Sequence, residues 1–373
     1  MRSGDPGTGS MSGMTMAPTR TLVRSDYVIL GGGAAAVVLA AVTRFVGGGA
    51  VVAFVCAAVA VTLLASLVGR SVEQIGDRFG PGATGVLQSA LGNLPELFIA
   101  LFALRAGLVD VVKAALIGSI LANLLLVLGL CFVVGGLKHG TQKLDSERAR
   151  SIIVLMVLSV AALVLPSLAH LLHTPASRHE NTLSLIVSGI LLLLFVLTLP
   201  ASLKRRPGEQ VEESMHQEPP RWPTGLAVAL LALAAMLAAF VSDWFVHALE
   251  PAMATLHISD AFAGLVIVAI AGNAIENVVG VQLAAKNRSE YAFSVVINSP
   301  MQIALVLAPV LVILSQVLGF AALTLVFSPM LIVSVAIAVI LSAFITFDGE
   351  SNWIEGAALI AVYVVIAASF WWG

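Results

Sequence analysis

Long, continuous apolar stretches constrain the fold of this chain more than any other feature. Eleven of them are long enough for a membrane-spanning helix, because about 20 apolar residues cross the hydrocarbon core of a bilayer. They do not alternate between apolar and polar residues, which favours helices over a β-barrel. Charged residues make up only 11% of the 373 residues, too few to cover a soluble surface of this size. We therefore predict an all-α polytopic membrane protein with eleven transmembrane helices at residues 26–43, 50–69, 83–107, 109–136, 151–173, 181–203, 224–247, 260–285, 290–318, 321–346 and 353–372.

The lysine and arginine residues orient this predicted bundle. With the N-terminus on one side, fifteen of the 19 basic residues lie on that side and four lie on the other. Cytoplasmic loops carry the excess of basic residues, so we predict a cytoplasmic N-terminus and an extracytoplasmic C-terminus. The short loops and the many Ala and Gly residues favour a bacterial inner membrane, with a vacuolar membrane as the alternative.

Hydrophilic segments divide the chain. We predict a flexible cytoplasmic tail at residues 1–25 and an extra N-terminal helix at 26–43, followed by two five-helix halves at 50–203 and 224–373. Residues 204–223 form the cytoplasmic linker between the halves. The linker carries an acidic cluster that is either a solvated connection or a cation-sensing regulatory segment, formed by Glu209, Glu212, Glu213 and Glu218.

A short motif occurs once in each half. GNLPE occupies 92–96 and GNAIE occupies 272–276, an offset of 180 residues that also aligns Ser119 with Ser299. The two copies lie in the third and the eighth predicted spans, an offset of five spans, and because five is odd, the copies cross the membrane in opposite directions. We predict two inverted five-helix repeats with an ion-binding site at their interface, near the midplane of the membrane.

Glu96 and Glu276 are the only acidic residues in the middle of predicted spans, roughly 20 Å deep at 1.5 Å per residue. No lysine or arginine in a span centre can pair with them, and an ionised carboxylate there costs at least ~2.5–3.5 kcal/mol. The two carboxyl groups avoid this cost either by taking up protons or by sharing a cation. One Ca²⁺ or two protons would neutralise the same site, and this competition is a simple physical basis for antiport.

Ca²⁺ takes six to eight oxygen ligands, so two glutamates are not sufficient. The Gly-Asn pairs would loosen each helix and free backbone carbonyls, and no thiol or imidazole lies nearby to favour a softer metal. Small and amide residues also serve simply to pack helices, and that alternative stays open for each of them. The predicted supporting ligands are Gly92, Asn93, Gly272, Asn273, Ser119, Asn123, Asn298, Ser299 and Gln302.

These segments resemble a known family. The stretches GNLPELFIALFALRAG (92–107) and IGSILANLLLVLG (117–129) resemble the first repeat of the cation/proton exchanger (CAX) family of Ca²⁺/H⁺ antiporters. GNAIENVVGVQLAAKNR (272–288) and NSPMQIAL (298–305) are similar to its second repeat, and DGESNWIEG (348–356) is similar to a segment before its last span. The resemblance implies an eleven-span fold that exports Ca²⁺ against proton influx, without a resident cofactor, and with Glu96 and Glu276 as ion-binding residues.

The resemblance also has looser correspondences and departures. The family's charged residues in the seventh span map onto Asp243 and Glu250, which either line an extracellular approach path or lie at the membrane interface. Asn277 stands where the second repeat commonly has His, and Pro300 and Met301 stand where it has Ser and Thr. These three departures bear on the coupling ion and on the ion preference.

Three other function classes were weighed. A Na⁺-coupled Ca²⁺ exchanger of the same superfamily is the nearest alternative. An intramembrane hydrolase would need a nucleophile–base pair or a metal triad within the spans, yet all seven histidines fall in loops or at predicted span ends. A passive channel fits inverted repeats with buried titratable ligands less well than alternating access does. The expected partners are Ca²⁺, H⁺ and the lipid bilayer, with no nucleic acid, and the oligomeric state is left open.

Overall fold

The structure is a computed structural model that describes residues 22–78, 87–88, 91–144, 146–203, 221–347 and 349–372. Within these ranges, the side chains of residues 146–152, 200–203 and 274–276 are left out of the description. Most of the predicted tail and all four glutamates of the linker, Glu209, Glu212, Glu213 and Glu218, therefore lie outside the described residues.

Helices account for nearly all of the described chain. The first half contains α1 (Arg24–Phe45), α2 (Ala50–Gly76), α3 (Leu94–Arg105), α4 (Val109–Leu121), a π-helical segment (Ala122–Val127), α5 (Leu128–His139), β1 (Gln142–Lys143), α6 (Ser146–Leu171), a 3₁₀ turn (Pro175–His179) and α7 (Glu180–Leu203). The second half contains α8 (Thr224–Leu256), α9 (Asp260–Phe262), a π-helical segment (Ala263–Val268), α10 (Ala269–Gly272), α11 (Ala274–Ala285), α12 (Ser289–Gln302), a π-helical segment (Ile303–Leu307), α13 (Ala308–Val317), α14 (Pro329–Ile345), β2 (Glu350–Ser351) and α15 (Trp353–Ser369). The two short strands pair antiparallel, with Gln142 opposite Ser351.

The described residues contain seven helical stretches that are long and apolar enough to cross a membrane, which makes this a polytopic membrane protein. An eighth stretch is bent by 60° between Asp260–Gly272 and Asn277–Ala285, and Pro329–Ile345 and Trp353–Ser369 are shorter apolar helices. In an apolar window of 18 residues within each stretch, 78% of the residues of Val109–His139 and 67% of those of Ser289–Val317 are buried, against 17% of those of Arg24–Phe45. The former two therefore form the centre of the bundle, and α1 lies at its edge.

The bounds of several helices recur at the 180-residue offset of the two motifs. Helix α3 begins at Leu94 and ends at Arg105, and α11 begins at Ala274 and ends at Ala285. The π-helical segment that ends at Val127 has its counterpart in the one that ends at Leu307. The two halves thus share local backbone structure as well as sequence.

Helix α4 and the π-helical segment Ala263–Val268 approach each other backbone to backbone. A Cβ on Gly118 would lie 2.3 Å from the Leu265 carbonyl oxygen, and a Cβ on Gly264 would lie 2.3 Å from the Val111 carbonyl oxygen. Only glycine fits at these two positions, because each larger side chain would overlap the backbone of the facing helix. This contact brings Ser119 of α4 close to the second half.

The span predicted at 321–346 is wrong at its beginning, because helix α14 begins at Pro329. The chain before it is not helical, although Leu323 and Leu325 are fully buried. Serine hydroxyls from other parts of the chain accept its backbone N–H groups: Ser315 binds Leu323 at 3.1 Å, Ser184 binds Leu325 at 3.0 Å and Ser167 binds Phe327 at 2.9 Å. An apolar run predicts a helix because buried N–H groups need partners, and here distant side chains supply those partners.

Two predicted spans end too early. Helix α2 continues beyond 69 to Gly76, and α8 continues beyond 247 to Leu256 with Pro251 inside it. Arg70, the first residue after the predicted end of α2, lies within the helix, and its guanidinium makes an ion pair with Asp26 of α1 at 2.6 Å.

Candidate functional site

Both Gly-Asn pairs interrupt their helices. Asn93 has φ −92° and ψ 16°, and Asn273 has φ −95° and ψ 17°, so neither residue continues the α-helix that follows it. The Gly-Asn pairs were expected to loosen each helix, and Glu96, which was expected 13 residues into its span, lies in the first turn of α3 after the break. A carboxylate is favoured there, because the N-terminus of a helix carries partial positive charge.

Glu96 is the centre of a buried polar network and is itself 8% exposed. The Ser119 hydroxyl donates to Glu96 Oε1 at 2.9 Å, and the Asn273 amide donates to the same oxygen at 2.6 Å. A Cβ on Gly272 would lie 2.5 Å from Glu96 Cγ. The break in the second half therefore supplies both the space and a hydrogen-bond donor for the carboxylate of the first half.

Asn123 and Ser299 extend this network across the two halves. The Asn123 amide donates to the Ser119 carbonyl at 2.9 Å, to Asn273 Oδ1 at 3.0 Å and to Ser299 Oγ at 3.2 Å. The Ser299 hydroxyl donates to Asn273 Oδ1 at 3.1 Å. Asn123 is fully buried, and its own Oδ1 accepts no hydrogen bond from the described residues. A buried carbonyl oxygen of this kind is a ready ligand for a cation.

The remaining predicted ligands are close in sequence to Glu96 and Ser299. Gly92 is buried and Asn93 is half-buried at the break before α3. Asn298 and Gln302 are half-buried, and the Asn298 amide donates to Ser294 Oγ of its own helix at 3.4 Å. Glu276 lies in α11, but its side chain is outside the described residues, so its position relative to Glu96 stays a prediction.

A small cavity of about 20 Å³ adjoins the network. Its lining includes Glu96 and Ser119, together with Ala103 of α3, Leu249 of α8 and Leu307. Every other lining residue among those described is apolar. Such a volume holds about one water-sized particle, so Glu96 borders a small and mostly apolar cavity.

The other predicted charged residues lie away from this cavity. Asp243 and Glu250 are exposed on the outer face of α8, and neither of them lines the cavity. Of the departures from the family pattern, Asn277 is half-buried near the start of α11, and Pro300 is buried within α12.

The sequence analysis missed Thr62 of α2. The Thr62 hydroxyl donates to the Ala271 carbonyl oxygen at 3.3 Å, immediately before the Gly272–Asn273 break. One threonine in a long apolar run carries no signal of its own. The 180-residue offset could have drawn attention to it, because its counterpart Ser242 also bears a hydroxyl.

The chemistry of the network is that of oxygen ligands. It contains one carboxylate, two hydroxyls and two amides, and no group of three His, Cys, Asp or Glu side chains converges among the residues that the structure describes. Hydroxyl, amide and carboxylate oxygens suit hard cations such as Ca²⁺ better than soft metals. The arrangement can bind a cation or hold a proton at Glu96.

Comparison with known proteins places the chain in a family. The family model described as sodium/calcium exchanger protein matches residues 49–204 and 226–372. The Ca²⁺/H⁺ antiporter ChaA of Bacillus subtilis (strain 168) is 37% identical over 324 residues, covering 86% of this chain and 92% of that protein. A Ca²⁺/H⁺ antiporter of Aphanothece halophytica is 35% identical over 338 residues, covering 85% of this chain and 89% of that protein. The structure of native YfkE superimposes with a TM-score of 0.79 at 35% identity, over 92% of this chain and 99% of that one. The resemblance found in the sequence is confirmed, and the chain belongs to the sodium/calcium exchanger protein family.

Proposed function

We propose that this protein is a secondary active antiporter that exports Ca²⁺ in exchange for H⁺ by alternating access. The names of its relatives, Ca²⁺/H⁺ antiporters at 35% and 37% identity over most of the chain, support this activity. The observation that carries the proposal is the buried network in which Glu96 accepts hydrogen bonds from both halves of the molecule.

This network is suited to hold either a cation or a proton. In the described conformation, the Ser119 hydroxyl and the Asn273 amide turn their hydrogens toward Glu96 Oε1. Rotation of Ser119 and Asn273 would present oxygen atoms instead, and Asn123 Oδ1 is already free to accept. A hard cation needs such a set of oxygens, whereas a proton on Glu96 needs only one acceptor. Ca²⁺ and H⁺ would therefore exclude each other from one site.

Glu276 completes the proposed site as the second ion-binding carboxylate. Glu276 lies 180 residues after Glu96. The two helix breaks, at Asn93 and at Asn273, are separated by the same 180 residues. Two carboxylates balance the charge of one divalent cation, which lowers the cost of placing the ion in the membrane. Gly92, Asn298 and Gln302 are proposed as further supporting ligands.

The proposed architecture is eleven transmembrane helices, with α1 preceding two inverted five-helix repeats. The recurring helix bounds support the repeat, and the odd offset of five between the two predicted spans that carry the motifs supports the inversion. The proposed domains are the tail at 1–25, the extra helix at 26–43, the repeats at 50–203 and 224–373, and the acidic linker at 204–223.

The proposed orientation has a cytoplasmic N-terminus and an extracytoplasmic C-terminus in a bacterial inner membrane, which the asymmetry of lysine and arginine supports. Asp243 and Glu250 lie near the extracytoplasmic end of α8 in this orientation. Their exposure supports a location at the membrane interface more than a place in the ion path. Ca²⁺ and H⁺ are substrates here, and the proposal includes no resident cofactor and no nucleic acid partner.

Uptake of radiolabelled Ca²⁺ into proteoliposomes under an imposed pH gradient tests this function. We expect uptake without Na⁺ that collapses when a protonophore dissipates the gradient. An opposing Na⁺ gradient should not increase the rate. Uptake that requires Na⁺, or uptake that persists after the protonophore is added, would contradict proton coupling and favour a Na⁺-coupled exchanger or a channel.

A further inference from the structure

Helices α2 and α8 are equivalent at the 180-residue offset and pack against each other. Helix α2 ends at Gly76 and α8 ends at Leu256. Helix α2 also contacts α10 and α11, which flank the Gly272–Asn273 break, and α8 contacts α3, which follows the Gly92–Asn93 break. Each of these two helices therefore packs against the broken span of the opposite half.

Hydroxyl groups lie at equivalent positions of α2 and α8, but only one of them is engaged. The Thr62 hydroxyl donates to the Ala271 carbonyl oxygen at 3.3 Å. Ser242, its counterpart, is fully buried, and its hydroxyl makes no hydrogen bond to any described residue. The position equivalent to Ala271 is Leu91, which precedes the Gly92–Asn93 break as Ala271 precedes the other.

We propose that Thr62 and Ser242 are positioning residues that exchange roles during transport. Thr62 binds the Ala271 carbonyl in the conformation described here, and Ser242 binds the Leu91 carbonyl in the opposite one. This inference rests on the proposed inverted repeats, because exchanging the conformations of two inverted repeats turns a site that opens to one side into a site that opens to the other.

The physical reason is the cost of a buried polar group without a partner. A buried hydroxyl that makes no hydrogen bond destabilises the conformation that contains it. In each of the two conformations one hydroxyl would be satisfied and the other would not, so these costs offset each other. The two conformations then differ little in free energy, as a transporter that must visit both of them requires.

Removing the Thr62 hydroxyl and removing the Ser242 hydroxyl should shift the equilibrium between the two conformations in opposite directions. Thr62→Val removes a hydrogen bond of the described conformation, and Ser242→Ala removes its unsatisfied group. The apparent affinity of each side scales with the population of the conformation open to that side. We expect the ratio of the half-saturating Ca²⁺ concentrations on the two sides to change about fivefold in each variant, and to rise in one variant and fall in the other. A change of about fivefold corresponds to the loss of one hydrogen bond of about 1 kcal/mol.

The wild-type protein and two variants serve as controls in proteoliposomes of defined orientation. Wild-type protein establishes that Ca²⁺ exchanges for H⁺, so its inactivity would count against the proposed function. Thr62→Ser keeps the hydroxyl and should restore the wild-type ratio. Ser188→Ala removes another fully buried hydroxyl that has no partner among the described residues, but one in α7, and it should leave the ratio unchanged.

A second readout needs no transport. In a background with Cys56→Ala and Cys131→Ala, Ala103→Cys places a thiol in the cavity wall. The rate of its labelling by a membrane-impermeant reagent, from each side, reports the population of each conformation. Thr62→Val and Ser242→Ala should change this rate in opposite directions. Changes of the same sign in both variants, or no change in either, would overturn the exchange of roles.

Discussion

Glu96→Gln replaces the buried carboxylate by an amide of almost the same shape. The new side-chain carbonyl can still accept the hydrogen bonds from Ser119 and Asn273, which Glu96 Oε1 accepts at 2.9 Å and 2.6 Å. The hydrogen-bond network is therefore preserved, and the negative charge is the property that changes. This separation makes the substitution a test of the charge itself.

The expected effect on transport follows from the loss of one carboxylate from a buried ion site. Removing one partner of a buried charge pair costs about 3–5 kcal/mol, which corresponds to a loss of between about a hundredfold and a few thousandfold. Folding should not suffer, because an ionised carboxylate at this depth costs at least ~2.5–3.5 kcal/mol that the amide avoids. We expect Ca²⁺ uptake to be abolished and the unfolding temperature to equal or exceed that of the wild type.

Two measurements on the same preparation decide the outcome: Ca²⁺ uptake under a pH gradient, and thermal unfolding in detergent. Glu350→Gln is the matched control, because Glu350 is exposed in β2 and does not line the cavity. The control should transport as the wild type does. Uptake by Glu96→Gln within tenfold of the wild type would refute the role of Glu96 as an ion ligand. It would also refute the proposed ion-binding site, which depends on that role.

Gly272→Ala would place a Cβ 2.5 Å from Glu96 Cγ, so we expect at least a tenfold loss of Ca²⁺ uptake in proteoliposomes. Asn123→Leu removes an amide that donates three hydrogen bonds; we expect a lower unfolding temperature and a higher half-saturating Ca²⁺ concentration, because each buried partner left unsatisfied costs about 1–3 kcal/mol. Ser167→Ala removes the hydroxyl that accepts from the Phe327 N–H, and chemical unfolding should show a destabilisation of about 1–3 kcal/mol with an unchanged half-saturating Ca²⁺ concentration.

Controls for these substitutions come from the same chain. Gly189→Ala, in α7, places its Cβ in open space and should leave uptake unchanged. Wild-type uptake in Gly272→Ala would contradict the close approach of Glu96 to the break. Unchanged stability in Asn123→Leu would contradict its bridging role, and an altered Ca²⁺ dependence in Ser167→Ala would mean that the non-helical chain before α14 contributes to the site.

The departures from the sequence predictions occur where side chains from distant segments decide the backbone. The apolar residues before Pro329 have the composition of a helix, and no local pattern reveals that Ser167, Ser184 and Ser315 accept their N–H groups. Helix α2 was expected to end before Arg70, because a charge commonly marks the membrane interface. Arg70 instead lies within the helix, where its charge is paired with Asp26, 44 residues earlier.

The sequence by itself determined the class of the protein and the residues of interest. Apolar runs of this length must lie in a membrane as helices, because a bilayer satisfies no backbone hydrogen bond. Two Gly-Asn-x-x-Glu motifs at an offset of 180 residues marked both breaks and Glu96. Only the tertiary structure decided that Asn273, 177 residues away, donates to Glu96, and that Thr62 rather than Ser242 is engaged. Periodicity reports which face of a helix is apolar, whereas a contact between distant helices depends on how the whole bundle packs.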